Sequence, residues 1–240
     1  MLLALLLALL VLAVPQVATA DEHILVASRD NTLFEDADGD TSNGAGPGLY
    51  SGTNAQERTR RALLQFDFTP IPLERRIERV TLVLHVTNAP DSITRSFRLH
   101  RVVRPWGEGT SSSAGGSGAP ATTGDATWIH AFWPALRWDR GGGDFLDAAS
   151  AVGPCNEGPC AWSSASMADD VRAWRADPAV NHGWILVGEE TGARTVRRFD
   201  ARESPSLADR PVLVLTLSEP DPLPVPAAVG SWGRLKVLYR

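Results

Sequence analysis

Apolar and polar residues alternate with period two at several places between Leu64 and Leu217, and this pattern restricts the chain to pleated sheet with a buried face. Leu64, Phe66 and Phe68 form one such set. Val80, Leu82, Leu84 and Val86 form the next, opposite Thr81, His85 and Thr87, and Phe97, Leu99 and Val103 continue the pattern. Successive side chains of a strand point to opposite faces, so each set shares one side of its strand. Trp184 to Val187 is a compact apolar run, and Val212 to Leu217 is strongly β-branched. Gly, Pro, Asn and Ser clusters separate these segments, which predicts antiparallel strands joined by turns rather than βαβ units. The expected fold class is therefore all-β: an antiparallel β-sandwich with one short helix.

That helix is expected over Ser166 to Asp177, where Met167, Val171 and Trp174 fall at helical spacing. Ser166 with Asp169 would cap its first turn, and Pro178 with the Asn181-His182-Gly183 turn would end it. A Met and Trp stripe of this kind reads as core, so the helix should cover one open end of the sandwich. Two long loops remain: Gly107 to Gly124, whose Ser and Gly content predicts mobility, and Arg140 to Pro159.

The termini have a different texture. Met1 to Val14 is almost pure Leu, Ala and Val, too short to span about 30 Å of hydrocarbon comfortably. With Ala18-Thr19-Ala20 as a small-x-small cleavage site, residues 1–20 read as a secretory signal. Residues 21–217 would form one domain, with no membrane span. Residues 218–229, with Pro220, Pro222, Pro224 and Pro226, read as a stiff linker. Residues 230–240 form a tail in which Trp232 and Leu235 are interleaved with basic residues.

Cys155 and Cys160 are the chain's two cysteines and lie in a Gly-Pro-rich segment. In an exported chain they read as a local disulfide worth about 2 kcal/mol. The expected location is extracellular or in the cell envelope. A net charge of −5 provides no electrostatic footprint for nucleic acid or an anionic membrane.

Several motifs, taken in order, resemble one family. Arg61-Ala-Leu-Leu-Gln-Phe-Asp67 with Ile71-Pro72, Ile77 to Leu84, and Val103-Arg-Pro-Trp-Gly-Glu-Gly109 come first. Gly124-Asp-Ala-Thr-Trp128, Asp170 to Trp174, and Gly183-Trp-Ile-Leu-Val follow. Phe199-Asp-Ala-Arg-Glu-Ser204 with Arg210-Pro211 and Val212-Leu-Val-Leu closes the series. The pattern is similar to that of DNRLRE-domain, or disaggregatase-related, proteins, over about residues 24–217. The resemblance implies a jelly-roll β-sandwich in an exported protein, and some relatives look like carbohydrate-binding modules. It also assigns Trp128 to the core.

Two candidate sites follow from residue chemistry. Asp36, Asp38 and Asp40 alternate around Gly39, with Glu35 beside them and Asn31 near enough to add an amide oxygen. Ca²⁺ accepts about six to eight oxygen ligands, so this loop is the candidate Ca²⁺ site, holding the metal as a staple. Trp133 and Trp138, with Arg137 and Arg140 beside them, are the candidate carbohydrate platform, because aromatic faces stack on sugar rings and guanidinium can pair with an acidic sugar. Arg61 and Arg202-Glu203 read as structural ion pairs.

The expected function is a secreted, non-catalytic module binding a polysaccharide or cell-surface glycan. A purely structural envelope protein is the alternative. A polysaccharide-degrading enzyme is the remaining rival, with Glu108 and Asp125 as a conceivable acid pair.

Overall fold

A computed structural model describes residues 21–218. The expected leader, the linker beyond Ser218 and the tail lie outside the described residues. The strands are β1 (Asp21–Phe34), β2 (Thr41–Ser42), β3 (Gly48–Thr53), β4 (Thr59–Phe66), β5 (Arg76–Asn88), β6 (Arg95–Val102), β7 (Ala119–Pro120), β8 (His130–Phe132), β9 (Leu136–Arg137), β10 (Phe145–Cys155), β11 (Gly158–Ser163), β12 (Trp184–Val187), β13 (Arg197–Asp200) and β14 (Val212–Ser218). The helix α1 (Ala165–Ala176) lies between β11 and β12.

All pairings among these strands are antiparallel. They close on themselves: β1, β14, β5, β13, β3 and β4 bond in sequence, and β4 returns to β1. Two strands make this closure by serving both sides. β1 pairs β14 over Asp21–Val26 and β4 from Ala27 on, with a register shift between Ala27 and Arg29. Such irregularities bend a strand and increase its twist. β3 pairs β13 up to Ser51 and β4 from Gly52, and Gly52 adopts φ 111°, a conformation that suits glycine. These strands therefore form a closed barrel-like ring of six. From β4 the sheet continues outward through β12 and β6 to β10, while β11 pairs β5 on the other side.

The inner core follows the alternation in the sequence. Leu64, Phe66, Leu82 and Leu84 are all at most 1% exposed. Phe97, Leu99, Leu213, Leu215 and Leu217 join them, as do Met167, Val171 and Trp174 of α1. The helix is capped by Ser164, whose Oγ accepts the Met167 N–H at 3.0 Å, rather than by Ser166. Val103 departs from expectation: β6 ends at Val102, and Val103 is half exposed.

A second apolar cluster lies on the opposite face of the same sheet. Leu33, Leu63, Val102, Ile185 and Val187 pack there against Trp106, Ala126, Ala131 and Trp138. The covering residues come from the long connection after β6, so β4 and β12 are buried on both faces. The Gly107–Gly124 connection is bonded to the loop after β1: Asn43 Oδ1 accepts the Ser113 N–H, Ala45 N–H donates to Ser111 O, and Ala121 N–H to Asp40 O. The Cys155–Cys160 disulfide spans the β10–β11 turn with Cα atoms 5.4 Å apart. It links a strand paired to β6 with one paired to β5.

Candidate functional site

The expected aromatic platform does not assemble as the sequence suggested. Trp138 is 5% exposed, and its Nε1–H donates to Thr127 O at 2.9 Å, so its ring belongs to the second core and offers no face to a ligand. Trp133 is half-buried beside the cis bond to Pro134. Arg137 is exposed on β9, paired to His130 of β8.

Arg140 instead joins a different aromatic row. Its guanidinium lies 4.6 Å from the Phe145 ring centroid. Arg61 lies 5.3 Å from the same ring and 5.0 Å from that of Trp128, giving the ladder Trp128–Arg61–Phe145–Arg140. Trp128 is half-buried on this ladder instead of lying wholly in the core. Sequence position builds the row: Arg61 projects from β4, Phe145 opens β10, and Trp128 and Arg140 come from the covering connection. Arg61 is fixed by Glu190, Nε to Oε1 at 2.7 Å and Nη2 to Oε2 at 2.9 Å, and by Gly142 O at 2.8 Å. A bidentate clamp of this kind pre-orients the neighbouring rings. The His100 ring also packs on Phe145, and burial lowers its pKa.

Beside this ladder is an open hollow of about 350 Å³, lined by Val103, Asp139, Arg140, Phe145, Leu146 and Asp147 among others. Val103 and Leu146 are each about half exposed there. A deeper hollow of about 420 Å³ below the end of α1 is less suited to stacking, because its rings, Phe68 and Trp174, are 6% and 1% exposed.

The Asp36–Asp40 loop does not converge its carboxylates. Asp36 Oδ1 accepts the Gly39 N–H, while Asp38 and Asp40 are exposed. Asn31 cannot add a ligand oxygen: its Oδ1 already accepts the Thr32 and Asn43 N–H groups and the Ser42 hydroxyl. Its Nδ2 donates to Glu108 O and Ala126 O.

A different acidic cluster lies one residue away, at Asp30, Glu108 and Glu203. One carboxylate oxygen from each lies within 4.8 Å of the others. Asp30, on β1, is fully buried. Glu108 reaches it from the Trp106-Gly-Glu-Gly109 segment, which can lie this close only with small residues: a methyl group on Gly109 (φ 70°) would meet Asp125 Oδ1 at 1.5 Å. Arg202 Nη2 forms ion pairs with Glu108 Oε1 at 3.0 Å and Glu203 Oε1 at 2.6 Å, and its Nε–H donates to Glu108 Oε1 at 3.3 Å. Asp125 is not part of this group; its Oδ2 accepts the Thr122 N–H at 2.5 Å. Sequence reading noted Glu108 and the Arg202-Glu203 pair separately. It did not single out Asp30, which lies outside every motif and alternating segment noted there.

No family model matches the chain, and no curated protein matches it. No helix among the described residues is long and apolar enough to cross a membrane.

Burial is the main cause of a strongly raised pKa at Asp30. The Arg202 N–H opposes it, and Glu203 and Glu108 reinforce it. Burial also raises Glu203, against the pull of Arg202. A carboxyl raised in the folded state holds its proton longer folded than unfolded. Its stabilising contribution is thus complete below the ordinary carboxylate range and is lost as pH rises through the folded value. The stability of Asp30→Asn relative to the unsubstituted chain should therefore climb as pH rises above about 4, the ordinary carboxylate range. Urea midpoints at a series of pH values upward from there test this, and a constant or falling difference would contradict it.

Proposed function

We propose that the chain is an exported, non-catalytic β-sandwich module of jelly-roll type that binds a polysaccharide through the Trp128–Arg61–Phe145–Arg140 ladder. The observation carrying this reading is Arg140, half exposed at 51% of its side chain, held over the Phe145 ring at the edge of an open hollow. Sugar rings need an apolar face to stack on and fixed polar groups to bind their hydroxyls. Val103 and Leu146, each about half exposed beside the capped Phe145 ring, offer the first; Arg140, Asp139 and Asp147 offer the second.

The charge of the hollow favours a neutral polymer over a uronate. Asp139 and Asp147 are 80% and 92% exposed, so an acidic sugar would meet carboxylates on either side of Arg140. The ordered resemblance to DNRLRE-domain proteins supports a glycan-binding role, and the apolar leader with the Cys155–Cys160 disulfide supports export to an oxidising compartment.

Affinity electrophoresis against a panel of neutral and acidic polysaccharides tests this. The chain should be retarded by at least one neutral polymer. Arg140→Ala should weaken that retardation roughly tenfold, the equivalent of about 1.4 kcal/mol, while Trp133→Ala leaves it nearly unchanged. No retardation by any polymer, or an Arg140→Ala variant that binds normally, would remove the site.

A further inference from the structure

Three carboxylates meet at Asp30, Glu108 and Glu203, and among the described residues Arg202 is the one guanidinium bonded to them. Ionised together, the three carboxylates would set three negative charges against this one bonded positive and leave two uncancelled, in a site whose deepest member is 0% exposed. Isolated charge at such depth is expensive unless paired or bound to a metal.

The polar contacts leave two of the cluster's oxygens unused. Asp30 Oδ2 accepts the Arg202 N–H at 2.7 Å, and Glu108 Oε1 accepts the Asp30 N–H at 2.9 Å. Glu203 Oε1 takes Arg202 Nη2. The other oxygens, Asp30 Oδ1 and Glu203 Oε2, are buried and accept nothing. A buried acceptor without a partner costs about 1–3 kcal/mol, more when charged, so two together point to a missing ligand.

We propose that Asp30, Glu108 and Glu203 bind one hard divalent cation, with Ca²⁺ the ion of best fit. The donors are all oxygen, without His or Cys, which selects hard cations over zinc or copper. Ca²⁺–O bonds of about 2.3–2.6 Å let ligand oxygens sit up to about 5 Å apart across the ion, matching the observed spread. A charge of two also cancels the excess. Bound there, the ion joins β1, the Gly107–Gly109 segment and the turn after β13, so it would staple the covering connection to the barrel. The site is separate from the aromatic ladder and does not depend on the glycan reading.

The test is calorimetric titration of the full chain, dialysed against chelator, with CaCl₂ and in parallel with MgCl₂, alongside thermal unfolding. Ca²⁺ should release binding heat and raise the unfolding midpoint. Asp30→Asn and Glu203→Gln should each weaken Ca²⁺ about tenfold or more, since ligand charge sets affinity at such sites. Glu203 is partly exposed, so Glu203→Gln retains the fold should Asp30→Asn not, as circular dichroism will report. The double variant Asp38→Asn/Asp40→Asn should bind as the unsubstituted chain does. A chain that responds to neither ion overturns the proposal. So does a response abolished by the Asp38/Asp40 double variant yet kept by Glu203→Gln.

Discussion

Trp184→Ala should lose about 3–5 kcal/mol of folding stability, the range for deleting a large buried aromatic, and drop the thermal midpoint by roughly 10 °C. Trp184 is 0% exposed on β12, which sits between β4 and β6 where both sheet faces are covered. Its ring meets Trp174 edge-on at 4.6 Å and Phe66 at 6.4 Å, so it joins α1 to the barrel. Its Nε1–H also donates to Asp170 Oδ2 at 2.9 Å, a carboxylate that takes the Ser150 hydroxyl at 2.5 Å as well. Trp184→Phe separates these effects: it keeps most of the volume and loses the hydrogen bond, for about 1–2 kcal/mol. Chemical unfolding of both variants measures the difference. If Trp184→Ala cost no more than Leu207→Ala, at an exposed site, α1 would not be coupled to the barrel as described.

The residues that were legible in the sequence are those whose burial follows from strand geometry alone. Val80, Leu82, Leu84 and Val86 alternate in sequence and are all buried. The second core was harder to read because a strand covered on both faces loses its alternation. Ala62-Leu63-Leu64 and Trp184-Ile-Leu-Val carried that signal as unbroken apolar runs, each residue at most 8% exposed. Nothing local showed that the Ser- and Gly-rich connection after β6 would supply the cover. Its glycines permit close packing as readily as they permit motion, and Trp106 and Trp138 are the residues that decide between the two.

Site residues were misread for a related reason: chemistry at a site depends on what meets in space. Trp133, Trp138, Arg137 and Arg140 are neighbours in sequence, yet Arg140 alone of the four stacks on Phe145, and Trp138 turns inward. The Asp36, Asp38 and Asp40 spacing suggested a cation loop, but exposed carboxylates repel one another apart unless something holds them. The cluster that does form draws Asp30, Glu108 and Glu203 from three distant segments, a convergence no spacing rule could reveal. The disulfide was readable because its partners are only 5 residues apart.

Arg197→Ala should be the second severe substitution, at about 3 kcal/mol, the lower end of the range for breaking a buried ion pair. Arg197 is 0% exposed in β13, an unusual position for a guanidinium. Its Nη2 binds Asp91 Oδ1 at 2.7 Å and Ile93 O at 2.6 Å, and its Nη1 donates to Thr195 O and Val196 O. The loss is kept at the lower end because Asp91 stays bonded to Arg95 at 2.6 Å and reaches solvent. The Asp91 carboxyl is held down at about 2 by Arg95 first, then by Arg197 and the Ile93 N–H, while burial acts the other way. A carboxyl depressed in the folded state adds stability above its unfolded value and loses it as pH falls through the folded one. The window for this group therefore runs from about pH 4 down to about pH 2. Arg197→Met, which keeps much of the volume and removes the charge, should narrow that window, because Asp91 then has one guanidinium fewer to hold its proton off. Acid titration of the two chains, followed by tryptophan fluorescence, should show the unsubstituted chain losing more of its stability across that interval. Equal losses would mean that Asp91 draws its depression from Arg95 and the Ile93 N–H, and that Arg197 serves the fold through its carbonyl contacts alone.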